Sequence, residues 1–232
     1  MFGMDPIQLL IGGAFSVIGM VLSNRLKSKF EQYSQMPLAK GKSGKEVAEA
    51  MLQYYGITDV RVQSVDGFLS DHYNPGDKTV NLSPAVFDGR HVAAAAVAAH
   101  ECGHAVQHAT AYTWLQLRSK IVPVVNIASQ GLQFMMIAAF MTLGSFPQLM
   151  LITIVLFAAT TAFSMITLPV EFDASNRALA WLKESGMSNG EEYTGAKDAL
   201  WWAAMTYVSA ALSSLVMLLY LIMRYQGATN RD

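Results

Sequence analysis

Four stretches of this chain run without a charge for about the length of a bilayer core, and the polar residues gather between them. Residues 7–23, 121–143, 147–168 and 203–223 are each long enough to cross as a helix. Asp5 precedes the first run, and Arg25, Lys27 and Lys29 follow it. A signal peptide carries its positive charge before the apolar stretch, so this pattern predicts an uncleaved anchor. Gly12, Gly13 and Gly19 are expected to give that anchor small faces for packing on a neighbouring helix. The break at Gly144-Ser145-Phe146-Pro147 makes the second and third runs a transmembrane hairpin.

Residues 24–120 and 169–202 are of water-soluble character. Ser43-Gly44-Lys45-Glu46 reads as a capping box that opens an amphipathic helix to about Tyr55, closed by Gly56. Residues 60–65 alternate as a strand does, and residues 71–82 read as two short strands around Asn74-Pro75-Gly76-Asp77. Residues 91–109 form an alanine-rich helix, with Asp88 or Ser83 as the expected cap and His91 as a capping or exposed residue at its start. The fold expected is mainly α: four transmembrane helices (7–23, 121–143, 147–168, 203–223) plus a small zincin-like α+β catalytic domain. That domain is made of residues 24–120, with residues 169–202 as its second part.

Composition sharpens this picture. The chain is 53% hydrophobic and 14% charged, with a mean hydropathy of +0.30. Soluble domains carry about 25% charged residues, so the apolar excess calls for a lipid environment. One cysteine excludes an internal disulfide framework. Net charge is −1, and there is no aromatic-plus-basic stripe, so no nucleic-acid partner is expected. Of 16 Lys and Arg residues, all but Arg224 and Arg231 fall in 24–120 and 169–202. The positive-inside rule therefore puts these segments on the cytoplasmic side of a multi-pass cell-membrane protein.

The chemistry is carried by His100-Glu101-Cys102-Gly103-His104, an H-E-x-x-H sequence on the alanine-rich helix. Residues four apart share a helical face, so His100 and His104 can hold one zinc ion, with Glu101 as base. At this chain's His and Glu content the pattern would arise by chance on the order of 0.004 times. Cys102 points away from the histidine face and is expected to act as a small buried hydrophobe. A catalytic zinc needs a third protein ligand. His108 lies roughly 12 Å along the axis from His100, too far to share the ion. The longer H-E-x-x-H-x-x-G-x-x-H pattern is absent, with Gln107 among the positions where it fails. The best donor segment is Leu168–Leu179, where Pro169 suits a first helical turn and Glu171 and Asp173 would sit near the positive helix end.

AAHECGHAVQHA paired with LPVEFDASNRAL, the DHYNP stretch upstream and the four apolar spans resemble the bacterial neutral zinc metallopeptidases of the YugP-like membrane type. The resemblance covers nearly the whole chain. It implies a gluzincin arrangement: one Zn2+ per chain, His100, His104 and Glu171 as ligands, and Glu101 as catalytic base. A more distant similarity links the chain to the membrane CAAX-protease and heat-shock-protease group, whose second motif reads E-x-x-x-D. Here Ser175 stands at the D position, where an aspartate would orient the first zinc histidine; a serine can accept that hydrogen bond but brings no charge. Asp173 and Arg177 are candidates for supporting the ligands or binding substrate: Arg177 could steady a substrate carbonyl, but an ion pair with Asp173 is the favoured expectation. His72 is a candidate for binding substrate or the oxyanion, beside the plainer reading of a surface histidine.

The expected function is zinc-dependent endopeptidase action on protein or peptide substrates at the cytoplasmic membrane surface, among lipids and in an undetermined oligomeric state. The alternative is a non-catalytic membrane scaffold with a structural zinc site.

Overall fold

The computed structural model describes residues 5–67 and 70–230. Its elements are α1 (Pro6–Ser34), α2 (Gly44–Tyr54), β1 (Arg61–Ser64), β2 (His72–Asn74), β3 (Thr79–Leu82), α3 (Pro84–Phe87), α4 (Val92–Ala109), α5 (Thr113–Thr142), α6 (Pro147–Glu184) and α7 (Gly190–Thr229). The chain divides into two compact units, one of Leu22–Gln116 with Pro169–Met205, the other made of the remaining segments.

In the first unit α4 is the core element. Fourteen of its 18 residues are buried, which explains its alanine content. A helix surrounded on all sides can keep its neighbours close only if most of its side chains are methyl groups. Across from it, α2 buries Val47, Ala48, Met51 and Leu52 at helical spacing. The capping box forms as expected: Ser43 Oγ accepts the Glu46 N–H at 3.3 Å, and the Glu46 carboxylate accepts the Ser43 N–H at 2.9 Å. Gly56, at φ +68°, ends the turn. The cap of α4 is His91, as one reading of the sequence had it, and not Asp88 or Ser83. His91 Nδ1 accepts the Ala94 N–H at 3.1 Å. Ser83 instead turns to Asp71, and Asp88 closes the short helix α3, which the sequence pattern did not suggest.

The sheet has the order β1-β3-β2, with β1 parallel and β2 antiparallel to the central β3. All four residues of β3 are buried. Asn74 Oδ1 accepts the Gly76 N–H at 2.9 Å within the predicted turn. Asp71 fixes the entry to β2 by accepting from both the backbone and the hydroxyl of Ser83. The C-terminal part of α1 joins this unit through buried Phe30 and Tyr33, and Tyr33 Oη donates to Asp198 Oδ2 at 2.7 Å.

Pro169 does not begin a helix. It lies inside α6, which continues from Pro147 to Glu184. A proline interrupts one backbone bond and is accommodated inside apolar helices where other groups take up the freed carbonyl. Glu171 and Asp173 are therefore mid-helix residues, held by tertiary contacts rather than by a helix N-terminus.

In the second unit Ala139, Leu143, Met150, Ile154 and Leu221 form a small core. Outside it the surface is apolar: Phe134, Ile137, Met141, Val155 and Met223 are all exposed. Among the described residues four helices, α1, α5, α6 and α7, are long and apolar enough to cross a membrane. They outrun the predicted spans because their helical hydrogen bonding continues into polar sequence. A side chain at Gly12, Gly13 or Gly19 would meet nothing within 4 Å, so these glycines pack against no helix among the described residues, contrary to expectation.

Candidate active site

Two donors come from one face of α4. His100 and His104 lie with ring centroids 4.8 Å apart and planes at 82°. The third comes from α6: Glu171 Oε2 is 3.4 Å from His100 Nε2 and 3.6 Å from His104 Nε2. The three ligand atoms all lie within 4.8 Å of one another. Gly103, between the histidines, lets α6 come this close. A Cβ there would stand 2.5 Å from the carbonyl oxygen of Ala174.

The electrostatics follow from burial and proximity. Burial alone would raise the Glu171 pKa, but the two imidazoles outweigh it and hold the carboxyl well below the usual carboxylate range. Burial would lower the His104 pKa, but hydrogen bonding to Glu171 and the charges of Glu101 and Glu171 raise it. Two imidazole nitrogens and a carboxylate oxygen are a donor set that zinc takes in catalytic sites, with one position left open. The residues present therefore fit a zinc ion.

Behind the donors stands a second layer of hydrogen bonds. His100 Nδ1 is 3.1 Å from Ser175 Oγ, so the serine at the fourth position after Glu171 does contact the first histidine. His104 Nδ1 is 3.0 Å from Gln107 Oε1. Gln107 Nε2 donates to Val170 O at 2.7 Å and to Asp173 Oδ2 at 2.8 Å. Arg177 Nε pairs with the same Asp173 oxygen at 2.6 Å, the ion pair expected from the sequence.

Glu101 is buried, and its Oε2 accepts the Tyr73 N–H at 3.0 Å. Tyr73 belongs to β2, the edge strand beside β3, so the candidate base touches the main chain of the sheet's rim. The Tyr73 hydroxyl reaches His108 Nδ1 at 2.7 Å, one turn beyond His104. His108 is thus a partner of Tyr73, and the donor cluster does not include it. His72 is exposed on β2, with its Nδ1 2.7 Å from Ser70 O. Successive strand residues face opposite ways, so its ring and that of Tyr73 leave the strand on opposite faces. Cys102 is fully buried, and its thiol donates to Ala48 O at 3.5 Å.

Three residues of this site were missed in the sequence. Gln107 carried a signal, since a polar side chain in a buried alanine helix must find partners. Gly103 carried one too, because mid-helix glycine costs about 1 kcal/mol relative to alanine and needs a compensating close approach. Tyr73 acts through its backbone and left no trace.

A His-His-Glu donor set with an adjacent glutamate, in a chain with four helices long and apolar enough to cross a membrane, is the arrangement that a membrane metallopeptidase would need. The family described as "putative neutral zinc metallopeptidase" matches residues 8–226, and the chain belongs to that family. It is 45% identical over 208 residues, 90% of this chain and 92% of the relative, to the "putative membrane protease YugP" of Bacillus subtilis (strain 168). No solved structure matches it.

Proposed function

We propose that this chain is an integral membrane zinc endopeptidase of the gluzincin type, cutting peptide bonds at the cytoplasmic membrane surface. Its catalytic unit is zincin-like and built on α4. The observation that carries the reading is the convergence of His100, His104 and Glu171 beside Glu101. These three would hold one Zn2+. When bound, zinc polarises the scissile carbonyl and makes water more acidic. The Glu101 carboxylate is the proton carrier: it takes a proton from the attacking water and delivers it to the leaving amine. The β2 edge gives an extended peptide a backbone to pair with, and the contact of Tyr73 with Glu101 sets that edge beside the base. A structural zinc is usually closed by four ligands, whereas this cluster offers three among the described residues.

The spacing along the chain supports placement at the membrane. Glu171 comes three residues after Leu168, the last residue of the third apolar run. Three residues advance a helix by about 5 Å, so the ligand sits near the hydrocarbon edge. The concentration of Lys and Arg in 24–120 and 169–202 supports the cytoplasmic face.

Zinc content and peptide cleavage in purified Glu101→Gln and His104→Ala proteins test the mechanism. Glu101→Gln is expected to keep zinc and lose activity by about 10²–10⁴-fold, the usual contribution of a general base. His104→Ala is expected to lose both. Wild-type peptidase activity in a clean Glu101→Gln preparation would overturn the assignment.

A further inference from the structure

We propose that Gln107 is a positioning residue that fixes His104 in the tautomer presenting Nε2 to the ion. This rests on the zinc reading above and adds a residue to it. Gln107 is fully buried, so both ends of its amide need partners. Its nitrogen donates to Val170 O and to Asp173 Oδ2. A carbonyl and a carboxylate oxygen can only accept, and that Asp173 oxygen is further engaged by Arg177. Turning the amide over would set its oxygen against two acceptors. The oxygen therefore faces His104 Nδ1 at 3.0 Å, and an acceptor there requires the ring proton on Nδ1. In the neutral ring the free lone pair then belongs to Nε2, the atom that faces Glu171.

The two histidines are not equivalent in this respect. Ser175 Oγ beside His100 can donate or accept, so it leaves the tautomer of that ring open. His104 is set before the metal arrives; His100 is set by the metal. Asp173 and Arg177, expected from the sequence as a local ion pair, act on His104 through the Gln107 amide.

The test measures zinc affinity by chelator competition on the full-length, detergent-solubilised protein, with thermal unfolding of the metal-free form alongside. Gln107→Leu removes the acceptor. Nitrogen NMR of the His104 ring in the metal-free wild type, at a pH where the ring is neutral, reads the tautomer directly. Gln107→Leu is expected to lose about 10–100-fold in zinc affinity, the usual effect of removing a ligand's hydrogen-bond partner, and its His104 ring is expected to lose the Nδ1–H preference of the wild type. Wild-type affinity in Gln107→Leu, or a wild-type ring protonated on Nε2, would overturn the proposal. Should Gln107→Leu not fold, the wild-type ring decides: a proton on Nδ1 supports the role and one on Nε2 overturns it. A wild-type protein that binds no zinc overturns the zinc reading itself, so the two failures are told apart.

Discussion

The Cα of Gly103 lies so close to the carbonyl of Ala174 that a Cβ would come within 2.5 Å of its oxygen. The atoms in the way are backbone, which cannot swing aside as a side-chain end can. Glu171 is one helical turn from Ala174, so the clearance at Gly103 sets the distance between the histidine pair and the third donor. Gly103→Ala is expected to cost about 1–3 kcal/mol by overpacking and to weaken zinc binding. Unfolding temperature and zinc content measure the two effects together. An unchanged value of both would show that α4 and α6 are not locked at this point.

The capping box makes a prediction about acid. Hydrogen bonding from the Ser43 backbone, then contacts with Lys42 and Arg90, lower the Glu46 pKa from 4.5 to about 2. A depressed folded-state pKa contributes stability above the unfolded value and loses it as pH falls through the folded one. Glu46→Gln is therefore expected to be less stable than wild type at pH 6, with the difference closing between about pH 4.5 and 2. The side chain is partly exposed, so added salt should shrink the gap. A gap that persists at pH 2 would assign the effect to something other than the charge.

Orientation can be read by labelling. Cysteine introduced at Gly227 is expected to react with an impermeant maleimide in intact cells, and cysteine at Lys42 to be spared until the cells are opened. The reverse pattern would put the catalytic unit outside.

Proximity of Glu171 to the third apolar run predicts a preference for tethered substrates. A peptide reporter anchored in liposomes is expected to be cleaved faster than the same peptide in solution at matched concentration. Equal rates would remove the membrane surface from the proposed function.

Legibility in the sequence followed the range of the interactions. The capping box at Ser43 and Glu46, the turn at Asn74–Asp77 and the shared face of His100 and His104 depend on residues a few positions apart, and spacing alone reveals them. The Asp173–Arg177 pair belongs to the same group. Pro169 misled because a proline marks a helix start in water, whereas here it sits inside a helix that is continuous from an apolar run. The small faces of Gly12, Gly13 and Gly19 misled for another reason: a glycine stripe states that a close approach is possible, not that this chain supplies the partner. The contact of Tyr73 N–H with Glu101 and the bridge from Gln107 to Val170 join residues 28 and 63 positions apart. Neither is encoded by a local pattern, and only the packed helices and sheet bring them together.

Cys102 sits between the two histidines in sequence, yet its sulfur faces Ala48 in the interior. Burial, with the nearby Glu101 charge, pushes the thiol well above its usual pKa. Oxidants and disulfides react with the exposed thiolate, and this sulfur offers neither exposure nor ionisation. The chain's one thiol is therefore chemically silent in the folded state, so peroxide or glutathione has no handle on it. Oxidation of Cys102 would have to begin with unfolding around α4.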